Sequence, residues 1–145
     1  MDLIALVTAR LKTSVHILSN RVAGVTELED AISATKFIAP YAFVLTLDES
    51  AGENELVNMV MQRVTVTLGV VLAISNGAHP LNLGAGGNPN RLQEFKDAVK
   101  SALLGWTPDP SCDNLTYKGG KLAQVHNRIL WWQESFETSF YIRST

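Results

Sequence analysis

Two long alternating stretches constrain this chain more than anything else in it. From Gln62 to Ser75 every even position is apolar: Val64, Val66, Leu68, Val70, Leu72 and Ile74. From Leu130 to Ile142 the even positions read Leu130, Trp132, Glu134, Phe136, Thr138, Phe140 and Ile142. A period of two over such a length means a strand with one buried face. At about 3.3 Å per residue each strand runs roughly 40 Å, about twice the usual length. A domain of 145 residues has a radius of gyration of roughly 15 Å. Such strands must bend, bulge or project, and a projecting strand pairs with or packs on another chain. The pattern points to assembly rather than catalysis.

Hydrophobic content of 46% with 18% charged residues suits one globular domain spanning residues 1–145 and argues against disorder. Twelve basic and fourteen acidic side chains leave a net charge of −2. A protein that grips nucleic acid by neutralising phosphates is distinctly basic, and this chain is not. The lone cysteine, Cys112, rules out an internal disulfide and fits a reducing compartment. No apolar run reaches the roughly 20 residues of a membrane span. Arg10 and Lys12 interrupt the first apolar stretch, so no signal peptide is expected.

Asp2 is placed to cap a first helix with Leu3, Val7 and Leu11 on one face. Val15 to Asn20 alternates and reads as a short strand ended by Gly24. Thr26-Glu27-Leu28-Glu29 reads as a capping box opening a second helix that stops before Pro40. Tyr41 to Leu47 is apolar on both faces and reads as a central strand. Asp48 to Met61 carries Asp48, Glu49, Glu53 and Glu55 and then turns apolar, as a long loop or the tip of an extended hairpin. Gly69 suggests a bulge or bend in the first long strand. Asn76 to Asn90 is a glycine- and proline-rich connection. Asn90, paired with Gln93, is placed to cap a third helix with Leu92, Phe95, Val99 and Leu103 on its apolar stripe and Gly105 as its left-handed terminator. Gly119-Gly120 between alternating segments reads as a hairpin turn, and His126-Asn127 as a second turn, giving a C-terminal β-meander. The fold class is therefore α+β: a mixed or antiparallel sheet with two long strands, helices packed mainly on one face.

No catalytic, metal or cofactor site emerges. His16, His79 and His126 form no HxxxH or HExxH pair. Gly84-Ala85-Gly86-Gly87 lacks the Gly-Lys-Ser/Thr of a P-loop, and a proline at 89 breaks GxGxxG spacing. Carboxylates 48, 49, 53 and 55 have no neighbouring base, and Asp113 works against a Cys112 thiolate. Trp131 shares its strand face with Gln133, Ser135, Glu137 and Tyr141. It is either covered by a helix of its own chain or set at an interface, where tryptophan is enriched, with base stacking on nucleic acid a minor third reading given the net charge.

Four segments in order resemble the tail terminator (tail completion) proteins of tailed bacteriophages and prophages. They are Gln62-Arg63-Val64, Leu104-Gly105-Trp106-Thr107-Pro108, Tyr117-Lys118-Gly119-Gly120-Lys121-Leu122, and Leu130-Trp131-Trp132-Gln133-Glu134-Ser135-Phe136-Glu137-Thr138. The resemblance implies a structural virion subunit that forms a homo-oligomeric ring, typically a hexamer. Such a ring caps the tail tube, stops its polymerisation and offers a surface to the neck or head connector. DNA passes through the opening, and no enzyme activity, cofactor or membrane is involved. The expected place is the tail–neck junction of a virion assembled in the host cytoplasm. On this view Glu49, Glu53, Glu55, Met59, Met61, Arg63 and Trp131 are the candidate contacts between subunits or with the tube. Another ring-forming neck or head-completion protein, and a small nucleic-acid-binding module, are the alternatives.

Overall fold

The computed structural model describes residues 1–34, 38–75, 90–126 and 128–145. Elements follow in the order α1 (Leu3–Ser14), β1 (Val22–Ala23), α2 (Val25–Ser33), β2 (Tyr41–Ala51), β3 (Met61–Ser75), α3 (Asn90–Leu103), β4 (Thr116–His126) and β5 (Ile129–Arg143). The five strands form one sheet in the order β1-β2-β3-β5-β4. β1 runs parallel to β2, and every other pairing is antiparallel. The expected α+β class with a mixed sheet is what the chain adopts.

The two long alternating stretches are the two central strands. β3 and β5 each hold 15 residues and pair from Met61↔Arg143 to Ser75↔Ile129 without a break. Even positions of β3 face α1 and α3. Val64, Val66, Leu68, Val70, Leu72, Ile74 and Phe136 pack there with Leu3, Val7 and Leu11 of α1 and Phe95, Val99 and Leu103 of α3. Asp2 Oδ1 accepts from the Ala5 amide at 3.1 Å and caps α1. Gly105, at φ +78°, takes the left-handed position that ends α3. Arg10 Nε then donates to the Ala102 carbonyl at 2.9 Å and its guanidinium lies over Trp106, tying α1 to the end of α3.

The opposite face carries a second, smaller core under α2. It is made of Ala31, Phe43, Val71, Ala73, Ile129 and Trp131, with Leu28 and Leu45 against it. Beyond that patch the face is mostly polar, with Thr65, Thr67, Gln133, Ser135 and Glu137 half-buried along it.

Several local expectations are corrected. Val15 to Asn20 is not a strand. His16–Leu18 forms a 3-10 turn, and Ser19 and Asn20 take φ of 50° and 64°, which extended backbone does not allow. α2 starts earlier than the predicted box: Gly24 is the N-cap, and Glu27 Oε2 accepts from its amide at 3.2 Å. The bulge expected at Gly69 lies on the partner strand, between Thr46 and Asp48. A Cβ at Gly69 would come within about 3.0 Å of the Leu47 side chain, so the glycine makes room for that bulge.

Gly119-Gly120 is not a hairpin turn. β4 runs straight through it and pairs with β5 along its whole length, with register shifts at Tyr117/Gly119 and Leu122/Gln124. Two glycines satisfy a bulge as well as a turn. Here the second is required for close approach: a Cβ on Gly120 would sit 2.9 Å from Trp132 Nε1 and 2.9 Å from Tyr117 Oη. Gln93 Nε2 donates to Asp97 Oδ1 at 2.7 Å. The 76–89 connection, His79, the glycines at 84, 86 and 87, the Asn90 side chain and Asn127 lie outside the described residues.

Candidate interaction surface

β2 continues past the predicted strand end through Asp48, Glu49, Ser50 and Ala51, still paired with Thr67, Val66, Thr65 and Val64. The acidic segment is therefore the far half of a β2–β3 hairpin. Every residue from Thr46 to Val60 is exposed. α1 covers the sheet only as far as Val64, Val66 and Phe140. Past that line β2, β3 and β5 form a three-stranded arm with no helix on it.

The arm is braced although it is bare. Gly52 donates to the Arg63 carbonyl at 2.8 Å and Glu55 to that of Met61 at 2.9 Å. The Asn54 side chain reaches four backbone groups: its Nδ2 donates to Leu56 and Met59 carbonyls at 3.0 and 2.9 Å, and its Oδ1 accepts from the Leu56 and Met61 amides at 3.2 and 2.8 Å. Ser144 clamps Val60 from the end of β5, its amide donating to the Val60 carbonyl at 2.9 Å and its Oγ accepting from the Val60 amide at 2.9 Å. The tip thus presents Val57, 96% exposed, with Leu56, Met59 and Val60 exposed in the same loop, and Tyr141 and Ile142 are exposed further down on β5. Singly exposed apolar residues need no explanation, but a cluster held in a fixed shape on an acidic stalk does.

Of the residues expected to mark contacts, Glu49, Glu53, Glu55 and Met59 lie exposed on this arm, and Met61 is half-buried at its root. Arg63 is half-exposed and ion-paired with Asp113, with Tyr141 under its guanidinium at 5.7 Å. The Asp113 carboxylate holds the Arg63 guanidinium above its usual value. Arg63 therefore locks the arm's root to the loop ahead of β4. The same loop is pinned by the Asp113 amide to the Ser139 carbonyl at 2.9 Å and by Thr138 Oγ1 to the Asp113 carbonyl at 2.7 Å. Trp131 departs from the expected set. It is 2% exposed and its ring lies tilted against Phe43 at 6.1 Å in the α2 core, so its own chain covers it.

The other end of the sheet carries the opposite charge. None of the eleven residues of β4 is buried. Lys96 and Lys100 of α3 lie over Trp132 and Tyr117 at 4.3 and 4.6 Å. On the other face Lys118 and Lys121 flank a shallow groove of about 280 Å³ floored by Thr67, Gln133 and Ser135. Lys118 bonds Glu137 at 3.1 Å. Sequence reading did not single out this edge, although four of the six lysines fall between 96 and 121.

Glu134 is the one fully buried acid among the described residues. Trp132 Nε1 donates to its Oε1 at 3.0 Å. Burial first, and then Glu134, push the Tyr117 phenol up to about 12. This carboxylate fastens β4 to β5 inside the sheet rather than opening on a cleft. Cys112 is buried beside Met1, whose Sδ lies 3.3 Å away, and burial raises its thiol above the usual value. His16 and His126 are both exposed. Among the described residues no three His, Cys, Asp or Glu side chains converge as metal ligands, and no helix is long and apolar enough to cross a membrane.

The family model for phage tail terminator protein matches residues 1–145. This chain belongs to that family. It is accordingly a structural protein of a phage-type tail. No curated protein matches the chain. Among solved structures it is similar to a chain of the virion of a native gene transfer agent particle, at 13% identity. The match covers 95% of this chain and 93% of that one with a TM-score of 0.54. At that identity the likeness establishes the shared fold.

Proposed function

We propose that the tail terminator fold here builds a ring, six copies in the family's usual form, seated on the end of a tail tube. The ring stops addition of tube subunits and presents its outer side to the neck or head connector, while DNA passes through the opening without specific binding. No catalysis is part of this role. The observation that carries the reading is the family match over the whole chain, joined to an arm whose apolar tip is left exposed by the described residues. Glu49, Glu53, Glu55, Met59 and Met61 contribute contacts on that arm, and Arg63 fixes its root.

The test is tube length. Tails assembled without the protein should grow past their normal length and fail to join heads, and adding it back should restore both. Val57→Asp should leave the fold intact, because the side chain touches almost nothing, yet abolish capping. Tubes of normal length in the protein's absence would refute the reading.

A further inference from the structure

We propose that neighbouring copies join edge to edge, the acidic outer edge of β2 in one lying antiparallel on the lysine-bearing edge of β4 in the next. This rests on the ring reading above and names the junction within it. β1 covers β2 only at Ala42 and Phe43, so the outer edge from Val44 to Ala51 has no strand partner among the described residues. Among the described residues β4 pairs with β5 alone, which leaves its outer edge without a strand partner there. An open strand edge is a template for another strand.

Geometry and charge agree on which edge meets which. β2, past its two-residue pairing with β1, and β4 form opposite edges of the sheet and run in opposite directions. A second copy placed alongside in the same orientation therefore offers β2 to β4 as an antiparallel pair. Such a contact is head-to-tail and closes into a ring when the rotation per copy allows it. The segment from 44 to 55 carries Asp48, Glu49, Glu53 and Glu55 and no basic residue. The segment from 116 to 126 carries Lys118 and Lys121 and no acidic residue. Lys96 and Lys100 add positive charge on one face of that edge, and the groove at Lys118 and Lys121 adds it on the other. Two β2 edges would repel, as would two β4 edges, so charge enforces the heterologous pairing over both symmetric ones.

Two variants test this. The first is Asp48→Lys with Glu49→Lys. The second is Lys118→Gln with Lys121→Glu, which also releases Glu137. Each should weaken self-association about 100-fold or more in sedimentation velocity, since like charges then face each other. Mixed one to one, they should reassociate, because each arm now meets an edge of opposite charge. Wild-type association should weaken with added salt. The same four samples, wild type included, are scored for incorporation into tails. Variants that each associate and incorporate like wild type, or a mixture that fails to recover in either assay, would overturn the junction. If wild type forms rings on tails while the variants are unaffected, the junction fails and the tail-end reading stands. If wild type is absent from tails, the tail-end reading fails and the solution mixing result alone decides the junction.

Discussion

Replacing Gly120 with alanine separates two readings of the Gly119-Gly120 pair. As a turn residue Gly120 would be costly to replace for its backbone angle, but its φ is not positive; only Gly119, at +146°, is. The structure instead places the added Cβ 2.9 Å from Trp132 Cζ2 and Nε1 and 2.9 Å from Tyr117 Oη. Tyr117, a residue about a third exposed, gives way only by drawing its Oη off Glu134. The indole cannot move freely, because Nε1 holds the buried Glu134 carboxylate at 3.0 Å and Lys96 stacks on the ring. Overpacking costs about 1–3 kcal/mol, and weakening a hydrogen bond to a charged acceptor about 1.5–3 kcal/mol in full. Taking part of the second, we expect a loss of roughly 2–4 kcal/mol, or a fall in Tm of roughly 6–14 °C in a chain of this size. The decisive assay is a double-mutant cycle by urea unfolding. In a Trp132→Phe background, Cζ2 and Nε1 are gone and the added cost of Gly120→Ala should drop below about 1 kcal/mol. Gly119→Ala meets no atom within 4 Å and should cost about 1–2 kcal/mol from backbone strain alone, unchanged by Trp132→Phe. A Gly120→Ala cost under about 0.5 kcal/mol, or one that persists in full beside Trp132→Phe, would refute the close-packing argument.

The Tyr117 phenol is raised from 10 to about 12, so the folded state holds its proton more tightly than the unfolded chain does. Stability attributable to it is complete below about pH 10 and declines as pH rises toward about 12, which tyrosinate absorbance with parallel unfolding curves will show against Tyr117→Phe. Cys112 should label with a thiol reagent far more slowly in the folded protein than in urea, because burial, Asp109 and Asp113 all disfavour its thiolate. Equal rates would show that the Met1 end opens readily. Asn54→Ala should speed amide exchange at Leu56 and Met61 at least tenfold while shifting global stability by less than about 1 kcal/mol, since all four bonds it loses are exposed.

The parts of the fold that were legible are those where a buried face imposes a period. Val64 to Ile74 and Phe136 announced the central strands, and Leu3, Val7, Leu11, Phe95 and Val99 the two helices of the main core. Asp2 and Gly105 were legible because a cap needs a particular side chain or a particular φ. Where no face is buried the signal vanished. Asp48 to Ala51 is strand, but with solvent on both sides its composition is that of a loop. β4 was cut in two for the same reason: no residue of it is buried, so two glycines outweighed a weak alternation. Trp131 was ambiguous because its strand face is polar along most of its length. Only at Val71, Ala73 and Phe43, beneath α2, does that face become a core, and those positions are remote in sequence. The lysine edge went unnoticed for a different reason. Lys96, Lys100, Lys118 and Lys121 gather only when α3 is laid across the end of the sheet.

The extended ribbons answer the question their length raised in an uneven way. Most of β3 and β5 lies inside the protomer, from Val64 and Phe140 to Ile74 and Leu130, with helices on one side. Only the last three pairs, Met61↔Arg143 to Arg63↔Tyr141, run beyond the core. Those few residues bury little apolar surface and so contribute little to protomer stability. Yet they are braced by Asn54, Ser144 and the Arg63–Asp113 pair, which fix a shape that folding alone does not require. Order without burial costs conformational entropy. Bracing of this kind makes physical sense when the ordered surface is completed by a second molecule, because an arm already in its bound shape loses less entropy on association. A floppy arm would serve a stable protomer equally well; a stiff one favours the contact proposed for it.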